Sequence, residues 1–148
     1  MFTSIVLSAA LLLTPTASAD IEKKSAALSG AAQDMKGYEP SLYTGKWYNP
    51  KYENTRKCIM RRESHFNYRA ANRSSSARGA YQFLDSQWRV SLTHMLMPEH
   101  RHMKKEVKAL RKKPIHKWNR YWQDAAFWTV WRHGQGKKHW YYGGSLGC

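Results

Sequence analysis

Between Lys117 and His133 the chain carries Trp118, Tyr121, Trp122, Ala125, Ala126, Phe127, Trp128 and Trp131, which fall on nearly every side of a helix. A helix with no solvated face must be wrapped by other parts of the molecule. The run therefore predicts a buried central helix from about Lys117 to His133, with Gly134 as its C-cap. The chain has 148 residues, 42% of them hydrophobic and 14% aromatic, which is enough for one domain with its own core. That content is too high for a disordered basic tail, although the formal charge is +15 at pH 7. A large multidomain enzyme, a collagen-like repeat and a polytopic membrane protein are excluded, and the charge points to a negatively charged partner.

Residues 1–19 contain no Lys, Arg, Asp or Glu, run apolar from Ile5 to Leu13 and end on Ala17, Ser18 and Ala19. They read as a secretory signal peptide, because the apolar run is shorter than the roughly 20 residues of a spanning helix. The mature protein is then expected to be secreted, extracytoplasmic and strongly cationic. Two cysteines, Cys58 and Cys148, are the whole thiol complement. In an oxidising compartment they point to a bridge worth about 4 kcal/mol in the chain-entropy account, and a four-cysteine zinc site is excluded.

Residues 20–52 divide into an Ala- and Ser-rich linker up to Lys36 and an irregular segment with Tyr38, Tyr43, Trp47, Tyr48 and Tyr52 that packs on the domain or stacks on a polymeric ligand. The compact domain is expected over 53–148. A first helix is predicted from Asn54 or Thr55 to Glu63, and a second from Asp85 or Ser86 through Leu92. A third has Pro98 in its first turn and Met103, Val107 and Leu110 on its inner face. Between the first two lies a polar loop with a short β excursion, in which Gly79 permits a tight turn or the close approach of a ligand. No internal repeat is present, and the expected class is mainly α with minimal β.

Glu63 falls at the C-terminal end of the first helix, where the helix dipole opposes a negative charge. A solvated Glu between basic neighbours is the plain reading; the residues that follow favour a functional one. The stretch from Cys58 to Trp88 resembles the transglycosylase-like domain of resuscitation-promoting factors and related actinobacterial and phage proteins. The matching pieces are Glu63-Ser64, Asn67-Tyr68, Asn72, the cluster Ala77, Gly79, Ala80, Tyr81, Gln82 and Phe83, and Trp88, with a second match in Gly134 to Trp140 and the closing Cys148. Lytic transglycosylases share a looser version, in which Ala126 to Gly134 stands at an Ala-rich helix and turn. Two departures are visible: Arg62 stands where the resuscitation factors have Cys, and Arg132 replaces the Asn of the transglycosylase turn.

The resemblance implies a lysozyme-like fold and cleavage of the β-1,4 bond between N-acetylmuramic acid and N-acetylglucosamine in peptidoglycan. Such a bond breaks once its oxygen is protonated, which requires a carboxyl group that stays protonated near neutrality; Glu63 is the expected acid, provided Arg61 and Arg62 face away. A second carboxylate is sought among Asp85, Glu99, Glu106 and Asp124, and none lies in a convincing motif. That scarcity favours the transglycosylase route, in which the sugar's own hydroxyl attacks, with lysozyme-type hydrolysis as the alternative. Tyr81 and Gln82 are expected to orient polar groups of the substrate, Tyr68, Asn72 and Trp88 to bind it, and Gly79, Cys58 and Cys148 to serve structure.

The expected partners are peptidoglycan strands and anionic wall polymers, met by a monomer that needs no cofactor and inserts in no membrane. A nucleic-acid reading rests on the basic third helix, and export argues against it. A non-catalytic cationic wall-binding or antibacterial protein is the alternative. His94, His100 and His102, with Met95, Met97 and Met103, have the side chains of a copper site but read as a solvated basic face over a Met stripe.

Overall fold

The computed structural model describes residues 39–148; the stretches expected to be a signal peptide and a linker lie outside the described residues. The four helices are α1 (Glu53–Ser64), α2 (Asp85–Leu96), α3 (Lys104–Leu110) and α4 (Arg120–Trp131), with 3-10 turns in the α2–α3 and α3–α4 connections. Two two-residue strands, β1 (Ala77–Arg78) and β2 (Phe83–Leu84), pair antiparallel with Ala77 opposite Leu84. The described residues are thus mainly helical, with a minimal β excursion where the sequence placed it. None of these helices is long and apolar enough to cross a membrane.

All twelve residues of α4 are buried, as its all-round apolar pattern demands. Burying a side chain such as Phe127, wholly covered here, contributes about 1.5–3 kcal/mol, so this one helix organises the core. The Asn119 side chain caps it by accepting from Trp122 N at 3.2 Å. Its end differs from the expected glycine cap. Arg132 takes the left-handed conformation at φ 44°, with His133 following at φ 57°, and Gly134 lies beyond them. α2 packs on α4 and α3. α3 starts at Lys104, after a 3-10 turn over Arg101–Met103, so Pro98 sits in the connecting turn and not in the first turn of the helix.

Segment 39–52 belongs to the packed unit, so the domain does not begin at Glu53. Tyr43 is wholly buried and donates its hydroxyl to Glu99 Oε2 at 2.6 Å. Tyr48 meets Trp128 edge-on at 5.0 Å and Tyr52 meets Trp131 at 5.6 Å between ring centroids, so these rings pack on α4.

A buried polar cluster ties α1 to α4. Arg56, with no exposure, donates to Glu53 from Nη2 at 2.5 Å and to the Tyr81 hydroxyl from Nη1 at 2.9 Å, and Nη1 lies 3.6 Å from Asp124. Asp124 accepts from the Tyr81 hydroxyl at 2.6 Å, from Leu42 N at 3.0 Å and from the Tyr68 hydroxyl. A lone aspartate inside an apolar helix is tolerable only with such saturation, because an unpaired buried charge would neutralise or unfold the site.

Candidate functional site

The inner stripe of α1 is formed by Arg56, Ile59, Met60 and Ser64, at helical spacing. Glu63 follows Ile59 by four and Met60 by three, so it emerges at the edge of that stripe and keeps 26% side-chain exposure. Helix α1 stops immediately afterwards: His65 and Phe66 both take positive φ, 52° and 64°. Ser64 secures this end by donating to Ala80 O at 2.8 Å and accepting from Asn67 N at 3.1 Å. The Glu-Ser pair therefore divides its work, with Glu63 facing outward and Ser64 tying the helix end to the β turn.

That turn depends on Gly79, at φ 80°. A Cβ there would stand 2.3 Å from Gln123 Oε1. The close approach is thus by a side chain of α4 rather than by a ligand. Gln123 accepts from Ala80 N at 2.9 Å and donates to Tyr68 O and Trp118 O at 3.0 and 2.9 Å, which fixes the β turn on the core.

Beside Glu63 runs a groove of about 320 Å3, walled by Gln82, Phe83 and Leu84 from the turn, Trp88 from α2, and the stretch His139 to Tyr142. Among the described residues, Glu63 is the single carboxylate on its wall. Trp88 packs on Phe83 at 5.9 Å and receives His139 edge-on at 4.7 Å, so it both joins the core and faces the groove. Tyr141 and Tyr142 are exposed, the latter by 84%. Flat, exposed aromatic faces of this kind suit stacking against a sugar ring.

Arginine enters this picture in a way that overturns an expectation. Arg61 is exposed, but Arg62 turns onto Glu63, donating to Oε1 from Nε at 3.1 Å and from Nη2 at 2.8 Å. The same guanidinium donates to Trp140 O at 2.6 Å and to Leu146 O. Cys58 and Cys148 are bonded, with Cα atoms 5.8 Å apart. Disulfide and guanidinium together fold the last residues against α1, and these residues supply one wall of the groove.

Other expected ligand-binding residues are drawn elsewhere. Tyr68 is 1% exposed and its hydroxyl is given to Asp124, so it packs in the core and does not line the cleft. Tyr81 reaches the groove wall, yet its hydroxyl is held by Arg56 and Asp124 and is not offered to a substrate. Burial raises both phenols above their ordinary range, which keeps them as donors. Asn72 is exposed, outside the groove wall, and accepts from Ser74 N and Oγ at 2.9 Å each, closing a turn. Gln82 does line the groove, at φ 51°, and spends its Nε2 on Gly79 O at 2.9 Å.

The remaining carboxylates of the packed unit have other duties. Asp85 accepts from Ile115 N at 2.7 Å and pairs with Arg89, Glu99 accepts from Tyr43 and Lys46 N, and Glu106 points outward from α3. In the His/Met region, His100 is buried with both ring nitrogens engaged, to Leu96 O and the Tyr121 hydroxyl at 2.9 Å each. Among the described residues no three His, Cys, Asp or Glu are arranged to hold a metal ion. Of the groove wall, His139 and Trp140 fall in the matched segment Gly134 to Trp140 but were given no site role, and Tyr141 and Tyr142 were not singled out; their signal was the aromatic run Trp140-Tyr141-Tyr142 before two glycines. Compared with protein-family models, with curated proteins and with solved structures, the chain finds no match.

Proposed function

We propose that the chain is a secreted muralytic enzyme of lysozyme-like fold that cleaves the β-1,4 bond between N-acetylmuramic acid and N-acetylglucosamine, with Glu63 as its general acid. The observation that carries this reading is the groove itself: one carboxylate, at its edge, on a wall otherwise built from aromatic and neutral side chains. The resemblance of Glu63-Ser64, the Gly79 to Phe83 turn and Trp88 to the transglycosylase-like domain supports the same reaction. In the reaction Glu63 gives its proton to the bridging oxygen, the bond from that oxygen to the muramic acid anomeric carbon breaks, and a hydroxyl of the same sugar closes on that carbon. The hydroxyl proton returns to Glu63, so no second carboxylate is needed.

Arg62 has to leave Glu63 for this to occur. Its contacts with Trp140 O and Leu146 O let it do so while still holding the groove wall. The ion pair also favours a second reading, a non-catalytic cationic wall-binding protein in which Glu63 merely anchors Arg62. Purified sacculi separate the two. The enzyme releases soluble muropeptides and its Glu63→Gln variant, which cannot supply the proton, does not; a wall-binding protein releases none.

A further inference from the structure

A second concavity, of about 430 Å3, opens between α2 and α3 and shares no lining residue with the Glu63 groove. Its charged wall consists of His94 from α2 and Arg101, Lys104, Lys108 and Arg111 along α3 and its flanking turns. Lys104, Lys108 and Arg111 are spaced by four and three residues, which places them in one row along α3 and its C-cap, and Arg101 joins the wall from the preceding 3-10 turn. At 1.5 Å per residue the row from Lys104 to Arg111 extends for about 10 Å, roughly one cation per helical turn.

Among the described residues, no acid compensates this row. Among the described residues, none of the four side chains enters an ion pair or a hydrogen bond. Glu106 is the one acid between Arg101 and Arg111 and is not part of the cleft wall, while nearby Glu99 is occupied by Tyr43 and Lys46. Like charges at these spacings weaken a helix, and one of seven residues has little stability of its own to lose.

We propose that this cleft binds a linear polyanion whose phosphodiester charges are carried on a saturated polyol or sugar backbone. Arginines at both ends of the charged wall suit bidentate contact with phosphate, and the lysines between them act as point charges. The rest of the wall is Thr93, Met97 and Pro98, with no tryptophan, tyrosine or phenylalanine on which a nucleobase could stack. Single-stranded nucleic acids gain much of their affinity from such stacking, so the cleft favours a polymer without bases. Binding here is separate from cleavage at Glu63 and rests on the muralytic reading only for where the polymer is met.

Titration of the purified chain with poly(glycerol phosphate), and with an oligodeoxynucleotide of equal phosphate number, tests the assignment. The double variant Lys104→Gln/Lys108→Gln is expected to lose about tenfold or more in affinity for poly(glycerol phosphate), with a salt dependence shallower by about one to two counterions. Lys105→Gln/Lys112→Gln removes the same charge from outside the cleft wall and is expected to lose less than about threefold. Equal losses in the two double variants, no binding by the unaltered chain, or tighter binding of the oligonucleotide would each overturn the proposal. Digestion of sacculi stripped of phosphate polymers reads the muralytic function independently, and the cleft variants are expected to match the unaltered chain there.

Discussion

Arg62 Nη2 stands 2.8 Å from Glu63 Oε1 and 2.6 Å from Trp140 O, so one guanidinium joins the candidate acid to the segment that walls its groove. Replacing Arg62 by alanine removes charge-assisted bonds at a site that is about two-thirds covered. The expected cost is about 1–2 kcal/mol, together with faster amide exchange from Tyr141 to Leu146. Unchanged exchange in that segment would mean that the disulfide alone holds it.

The Cys58–Cys148 bond closes a separation of 90 residues. In the chain-entropy account its loss costs about 4 kcal/mol. Thermal unfolding with and without reductant is expected to show a large fall in Tm, and Cys58→Ser/Cys148→Ser to reproduce it. Because Tyr141 and Tyr142 lie just before this tether, glycan binding is expected to weaken even at temperatures where the core stays folded.

Gly79→Ala forces a side chain into left-handed backbone against Gln123 Oε1. A loss of about 2–3 kcal/mol in denaturant unfolding is expected. Truncating Gln123 as well relieves the contact but strands Ala80 N, so the double variant is expected to be non-additive, as for any pair in direct contact.

Partial desolvation of its ring beside Trp88 and Trp140 lowers the pKa of the otherwise exposed His139 below its ordinary 6.5. The folded protein therefore prefers the neutral ring. As pH falls through 6.5 the unfolded chain takes up the proton first, so stability declines until the folded-state midpoint is passed; well above 6.5 this contribution is nil. A titration of the ring by NMR is expected to give a midpoint below 6.5, and His139→Gln to flatten part of the acid-side decline. His116, also lowered chiefly by burial and then by Lys117, accounts for a further part.

The buried α4 was legible because Trp118 to Trp131 left no face for water, and the place of Glu63 at the C-terminal end of α1 was legible from the helix expected to start at Asn54 or Thr55. The roles of Tyr68 and Tyr81 were not, since a tyrosine whose hydroxyl meets a buried carboxylate has the same local sequence as one that meets a ligand. Asp124 was the available clue, an acid inside an otherwise apolar helix. The left-handed turns at Arg132 and His133 occur at residues without a glycine's freedom, so only the surrounding packing selects them. One wall of the groove comes from a segment nearly eighty residues from Glu63, brought there by the disulfide and Arg62, and no local pattern encodes that meeting.

The central claim is that Glu63 donates the proton that breaks a wall glycan. Mass analysis of the soluble fraction from sacculi treated with the chain and with Glu63→Gln tests it most directly. The account predicts muropeptides from the unaltered chain and a fall of about 10²-fold or more in the variant. Equal release by both, or none by the unaltered chain, would contradict it.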